Sequence, residues 1–268
     1  MLPKRRKGAA AGMNLHRALV ARHEAGRPLR VGVIGCGRFA TMFLAQVPST
    51  PGMHVVAVAD LAPARARANL AAAGWPTERA AAGSIADAVQ RGTTWLTDDA
   101  GALLGAPEVE IVIEATGDAA AGAAHALGAI EAGQHAIMVN VEADALCGPA
   151  LARRAAAQGV VYSLAYGDQP ALIAELVDWA RACGFPVIAA GKGTKYLPEF
   201  HHSTPDTVWH HYGIDAARAA AGGMNPQMYN SFVDGTKSAI EMAAVANAFG
   251  LDAAEAGLRF PPCDDDQL

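Results

Sequence analysis

The sequence predicts an α/β fold, a doubly wound parallel sheet followed by a smaller α+β region. Three observations carry this expectation. Short apolar runs, LRVGVIG (29–35), HVVAVAD (54–60), VEIVIEATG (109–117) and QHAIMVN (134–140), alternate with helical stretches of about a dozen residues. These runs are continuously apolar, as strands of a sheet covered on both faces must be. Beyond residue 191 the alternation loosens, and residues 192–230 become rich in Gly, Pro, His, Tyr and Asn, as a substrate loop or an irregular surface segment would be.

Taken in order, LHRALVARHEAG (15–26) has an amphipathic helical pattern that stops at Gly26. The strand at 29–35 leads into a helix at 36–47, and the strand at 54–60 into a helix at 62–74. SIADAVQRG (84–92) adds a short helix, TTWLTDD (93–99) a weak strand, and ALLGAP (102–107) closes that unit. The strand at 109–117 is followed by a helix at 119–133, and the strand at 134–140 by a helix at 146–158. A strand at 159–164, a helix at 169–183 and a strand at 186–190 continue the alternation. DGTKSAIEMAAVANAFG (234–250) restores a clear helix before a polar, proline-containing tail. These elements divide into a dinucleotide-binding domain over 14–165 and a substrate and dimerisation domain over 166–268.

Composition limits the function classes. The chain has 268 residues, 52% hydrophobic and 18% charged, enough to bury a sizeable core. No apolar run reaches the roughly 18 residues of a membrane span. The start, MLPKRRKGAAAG, is basic but lacks the apolar centre of a secretory leader. Residues 1–13 are expected to be a disordered basic tail, with Met13 an alternative start. Without Lys4, Arg5, Arg6 and Lys7 the net charge of −5 becomes −9 (−5 minus 4), and so acidic a body argues against general nucleic-acid binding. Cys36, Cys147, Cys183 and Cys263 lie far apart with no metal or disulfide spacing, so a reducing cytoplasm is the simplest setting.

The first strand runs into Gly35-Cys36-Gly37-Arg38-Phe39-Ala40, a G-x-G-x-x-A pattern that opens a helix. Alone the pattern is weak. Between a strand and a helix, in a β-α-β unit that ends in an acid, it is the Rossmann dinucleotide fingerprint. Gly35 allows the tight turn, Gly37 lets a pyrophosphate approach the backbone, and Ala40 lets the helix pack close. Asp60 lies 25 residues after Gly35 (60 minus 35), near the expected place for a carboxylate on the ribose hydroxyls. A carboxylate there favours NAD over NADP, although Arg65 and Arg67 in the next turn are able to accommodate NADP. The other reading of the motif is an ordinary strand-to-helix turn. Glu114-Ala115-Thr116-Gly117 ends the next strong strand, so Ala115, Thr116 and Gly117 join the cofactor candidates, unless Gly117 is only a hinge. Asn140 ends a further strand and is expected near the nicotinamide. Glu142 and Asp144 follow it, with helix capping by Asp144 or solvent exposure as their ordinary roles.

The chemistry is expected around AGKGTK (190–195). A Walker A loop needs G-x-x-x-x-G-K-[ST]; here Gly193 follows Lys192, and Pro186 stands five before Gly191, so the motif fails at both ends. What remains is a strand-end loop with two cations, Lys192 and Lys195. They suit a substrate carboxylate or phosphate, or the polarising of a carbonyl during hydride transfer. The competing reading is a pair of solvated lysines. Asp168 is placed to cap the helix at 169–183 and is free to orient a lysine or a substrate hydroxyl as well. Lys237 precedes Glu241 by four, the spacing of a helical ion pair. His201, His202, His210 and His211 suggest a metal site, but adjacent histidines point different ways and no carboxylate except Asp206 shares a ligand-like spacing with them, so no metal is expected.

The segments VGVIGCG, EATG, MVNVEAD, SLAYGDQP, AGKGTK, STPDT, MNPQM and DGTKSAIEMAAVANA together resemble the homoserine-dehydrogenase-like oxidoreductases. Within them the chain looks most like the branch of the 1-deoxy-D-xylulose 5-phosphate reductoisomerase-like enzymes, over roughly 14–260. The resemblance implies a nicotinamide cofactor, a small-molecule substrate, and a second domain that also makes a homodimer. It implies that Lys192 and Lys195 lie in the substrate pocket with Asp168 and Glu142 alongside. Thr194 stands where the reductoisomerase-like enzymes carry a lysine, and Val141 where homoserine dehydrogenases carry one. Relatives continue past DDDQL, which implies a fragment or a short version of the fold. The function expected is hydride transfer to or from a small polar substrate, a hydroxy or keto acid or a sugar-phosphate-like molecule. The alternatives are a non-catalytic dinucleotide sensor and a reductoisomerase acting on 1-deoxy-D-xylulose 5-phosphate.

Overall fold

The computed structural model describes residues 14–262 and residue 264. The basic tail expected over 1–13 lies outside the described residues. The described chain divides into two compact units. One runs to Ala143 and resumes over Ala150–Ser163; the other comprises Asp144–Pro149 and the chain from Leu164 onward.

The first unit contains α1 (Leu15–Glu24), β1 (Leu29–Ile34), α2 (Arg38–Gln46), β2 (Met53–Ala59), α3 (Pro63–Ala72), α4 (Ile85–Arg91) and β3 (Trp95–Thr97). It continues with β4 (Ile111–Glu114), α5 (Ala119–Glu131) and β5 (His135–Met138), and α6 (Val141–Gln158) and β6 (Tyr162–Leu164) begin within it. The sheet order is β3-β2-β1-β4-β5-β6. Parallel pairing links β3 to β2, β2 to β1, β1 to β4 and β4 to β5. The order reverses between β1 and β4, and a crevice outside the strand ends opens at such a switch point. Register brings Ile34, Ala59 and Glu114 level, so the residues that follow them share one rim. The core beneath is Val31, Val33, Leu44, Val55, Val58 and Leu70, with the Trp75 indole donating to the Leu44 carbonyl at 2.7 Å.

One boundary in this unit differs from the expectation. The helix expected at 146–158 begins at Val141, because the Asn140 side chain accepts from the Ala143 N–H at 3.0 Å and caps it. The cap is therefore Asn140 and not Asp144, and Glu142 stands on the first helical turn instead of in a loop.

The second unit contains α7 (Gln169–Ala182), α8 (Val208–Tyr212), α9 (Ala216–Ala221), α10 (Pro226–Val233) and α11 (Thr236–Phe249). Helices α7 and α11 pack through Ile173, Val177 and Val245. Phe200, Val208, Trp209, Ala219 and Val233 make a second small core. Past β6 this unit is helical among the described residues, where a mixture of helix and strand was expected. The strand expected at 186–190 does not form, and 185–197 runs without regular structure. No strand of this unit is present there to pair with it. Val187 and Ala190 instead sink onto the α7–α11 core, while Ile188 turns to solvent. The expected substrate loop over 192–230 is in part folded, into α8, α9 and the start of α10.

Candidate functional site

The rim of the first unit is built around Gly35. Its φ of +93° lies in the left-handed region, and a Cβ there would come within 2.7 Å of the Ala115 carbonyl group. Only glycine satisfies both conditions. The turn is closed by the Gly35 N–H donating to the Ala59 carbonyl at 2.7 Å. Gly37 then caps α2 with no side-chain hydrogen bond, and a Cβ built on it meets no atom within 4 Å. The start of α2 thus carries no side-chain cap and opens beside free space, with the positive end of the helix dipole directed at it. Arg38 and Phe39 are exposed on this turn, and Ala40 is buried against the sheet. This cradle fits the pyrophosphate of a dinucleotide.

Asp60 stands at the end of β2 as expected, but its carboxylate is turned inward. One oxygen accepts from the Cys36 N–H at 2.8 Å. The other accepts from the Ala62 N–H at 2.8 Å and from the Arg65 guanidinium at 3.1 Å. The opposite side of the turn is held by Asn69, whose amide donates to the Cys36 carbonyl at 2.8 Å. Sequence reasoning missed Asn69; an amide among the alanines and arginines of α3 was its only signal. The Cys36 thiol is buried, and desolvation together with the nearby Asp60 charge pushes its pKa up to about 11. Cys36 therefore serves the turn through its backbone and its packing.

At the end of β4, Ala115 receives the close approach of Gly35, and Thr116 and Gly117 follow. The Glu114 carboxylate is buried at 1% exposure. Its Oε1 accepts from the Thr116 hydroxyl at 2.6 Å and pairs with His125 Nδ1 at 3.2 Å, while its Oε2 has no hydrogen-bond partner among the described residues. Asn140 is also buried. Its amide donates to the Asp118 carbonyl at 2.8 Å and to the Thr116 hydroxyl at 3.4 Å, so the side chain ties the β4 and β5 ends together. Glu142 is half-buried at the start of α6.

In the second unit Asp168 caps α7, its carboxylate accepting from the Gln169 N–H at 2.9 Å. The Lys192 ammonium pairs with the Glu241 carboxylate of α11, in a site that leaves Lys192 17% and Glu241 4% exposed. Lys195 is exposed, so the two lysines of the loop differ in environment. Next to Lys195, Tyr196 stacks on Phe260 with ring centroids 4.1 Å apart. Glu241 was read as a partner for Lys237 at helical spacing. The missed signal was its place on a buried stripe with Ser238 and Val245, at i, i+3 and i+7. Among the described residues no group of three or more His, Cys, Asp or Glu side chains is arranged to hold a metal ion. None of the described helices is long and apolar enough to cross a membrane.

Residues 35–164 match the family model described as homoserine dehydrogenase, NAD binding domain. Residues 167–268 match the model described as oxidoreductase DRL, catalytic domain. Over these two stretches the chain matches oxidoreductase domain families, the first of them the NAD-binding domain of homoserine dehydrogenases. No curated protein matches it. Among solved structures, the chain is similar to an NAD binding oxidoreductase from Klebsiella pneumoniae at 22% identity, with a TM-score of 0.39, over 59% of this chain and 39% of that one. It is similar to a homoserine dehydrogenase from Thiobacillus denitrificans at 21% identity, with a TM-score of 0.43, over 58% of this chain and 34% of that one. It is similar to the WlbA dehydrogenase from Bordetella pertussis, solved with NADH and UDP-GlcNAcA, at 19% identity and a TM-score of 0.41, over 59% and 44% of the two chains. The matched part thus spans less than half the length of these solved relatives.

Proposed function

We propose that the chain is an NAD(P)-dependent oxidoreductase acting on a small polar substrate, a hydroxy or keto acid or a sugar-phosphate-like molecule. The observation that carries this reading is the Gly35–Gly37 turn, which delivers an uncapped helix N-terminus to the switch point of the sheet. When bound, the nicotinamide supplies or accepts the hydride. The substrate oxygen is the task of Lys192. Glu241 holds the Lys192 ammonium in one place. An ammonium so held hydrogen-bonds a carbonyl oxygen, makes its carbon more electrophilic and supplies the proton as the oxygen becomes a hydroxyl. In the reverse direction the neutral amine accepts that proton.

Lys195, exposed, is assigned to a substrate carboxylate or phosphate, and Asp168 and Glu142 to substrate hydroxyls. Ala115, Thr116, Gly117 and Asn140 are assigned to the cofactor's crevice wall. A homodimer in the cytoplasm completes the reading; the outward apolar side chains Leu172, Leu176 and Trp179 of α7 support the dimer.

The experiment is a fluorescence titration of the purified chain with NADH and NADPH. It is followed by a screen for NAD(P)H oxidation against aldoses, ketoses, 2-keto and 3-keto acids, and 1-deoxy-D-xylulose 5-phosphate. Binding with turnover on one class, abolished by Lys192→Met, is the expected result. Binding without turnover on any of them favours the non-catalytic sensor instead. Absence of binding by either nucleotide overturns both readings.

A further inference from the structure

The Asp60–Arg65 pair sets which nicotinamide dinucleotide the first unit takes, an inference that rests on the dinucleotide reading above. An acid at the end of β2 selects NAD when its oxygens are free to accept from the ribose 2′- and 3′-hydroxyls. Asp60 is not free in that sense. A carboxylate has about four acceptor positions. Those of Asp60 receive the Cys36 N–H, the Ala62 N–H and the Arg65 guanidinium, and both positions on Oδ1 are taken. Its side chain is 6% exposed, whereas that of Arg65 is 65% exposed. The acid is turned inward to brace the glycine turn, and the cation lies outside it.

The neighbouring groups sharpen the assignment. Arg67, the other arginine of this turn, donates to the Ala80 carbonyl at 2.9 Å and is occupied in holding that segment. Arg65 uses one terminal nitrogen on Asp60, and most of its five donors remain for an incoming group. Leu61, between the two, is 93% exposed and offers an apolar surface to a purine face. The charges that oppose an anion here are Asp98 and Asp99. They follow Thr97, whose carbonyl accepts from the Asp60 N–H at 2.9 Å. Both are exposed and therefore screened by salt, whereas a guanidinium in contact with a phosphate is screened much less.

We propose that Arg65 is a specificity-determining residue that binds a ribose 2′-phosphate, so that the chain prefers NADP(H) to NAD(H), and that Asp60 serves chiefly as the brace of the turn. The preference falls to Arg65 because a guanidinium can meet a phosphate with two parallel hydrogen bonds.

The test is isothermal titration of the full chain, wild type and variants, with NADPH and NADH at fixed salt. Wild type is expected to bind NADPH more tightly. Arg65→Ala is expected to weaken NADPH by roughly ten- to a hundredfold, the worth of one charged hydrogen-bonded contact, and to leave NADH within about twofold. Arg65→Lys recovers part of the loss. Asp60→Asn weakens both nucleotides together, because it loosens the turn. Each titrated sample is checked for an unchanged thermal midpoint of Arg65→Ala, which an exposed side chain permits. NADH binding as tightly as NADPH, or equal loss of both in Arg65→Ala, overturns the assignment while leaving the dinucleotide reading intact. Binding of neither by wild type overturns the dinucleotide reading itself, and this assignment with it.

Discussion

Gly35, Cys36 and the Lys192–Glu241 pair each bear a consequence that follows from one side chain. Gly35→Ala places a methyl against the Ala115 backbone and forces a left-handed φ on alanine. Strain of this kind costs about 1–3 kcal/mol, and the expected readout is a lower urea midpoint together with loss of nucleotide binding. Cys36 gives a pH dependence of definite sign. Its pKa is about 11 in the folded chain against the ordinary value of 9.0. The folded state holds the thiol proton more tightly than the unfolded state does, so this contribution is present below pH 9 and is lost as pH rises toward 11. Urea midpoints measured across that window should fall more steeply for wild type than for Cys36→Ala, and parallel curves would remove the effect. Glu241→Gln leaves the Lys192 cation with a neutral partner. Breaking a buried pair costs about 3–5 kcal/mol, and less where one partner keeps some exposure. The double change Lys192→Met with Glu241→Leu should recover most of the midpoint lost by Glu241→Gln.

Individual elements show what sequence pattern can and cannot specify. The central strands β1, β2 and β4 were legible because each is a largely apolar run bounded by glycines or acids, and burial on both faces leaves little choice of residue. The glycine turn was legible for the same local reason. The start of α6 was not, because Asn140 acts twice. It caps the helix through Ala143 and reaches back to the Asp118 carbonyl, a contact 22 residues away in sequence. Asn140→Ala therefore removes a cap and the tie to the Asp118 carbonyl, which keeps the Gly122 N–H, at a cost of about 1–2 kcal/mol. A smaller loss, within about 0.5 kcal/mol in urea denaturation, would mean that the helix start is held by other groups. The run at 186–190 failed as a strand for a different reason. Apolar alternation states which side chains seek cover, and a helix pair covers Val187 and Ala190 as well as a neighbouring strand would. Periodicity does not contain the identity of the partner.

For the whole molecule, the same limit explains which parts of the site could be read in advance. Gly35, Gly37 and Asp60 sit where a local motif puts them, but the direction in which Asp60 faces depends on Cys36, Ala62 and Arg65 together. Glu241 lies 49 residues from Lys192, and no local pattern joins them. A binding experiment on the intact chain can recover this level of organisation. A ligand that binds only the native state stabilises it by about 2.7 kcal/mol at a hundredfold excess over Kd. Amide protection should then rise where the ligand's own contacts and the rim they hold closed are found. Hydrogen exchange on the full chain with saturating NADPH should therefore slow at Gly35–Thr41, Asp60–Ala66 and Ala115–Gly117, the three segments that share the crevice rim. The first of these carries the start of α2, which has no side-chain cap, the second the Asp60–Arg65 pair, and the third the backbone that Gly35 approaches most closely. NADH at equal saturation should protect the first and third segments alike but Asp60–Ala66 less, because it lacks the 2′-phosphate assigned to Arg65. Equal protection of all three by both nucleotides would leave the cradle in place and take the discriminating contact away from Arg65.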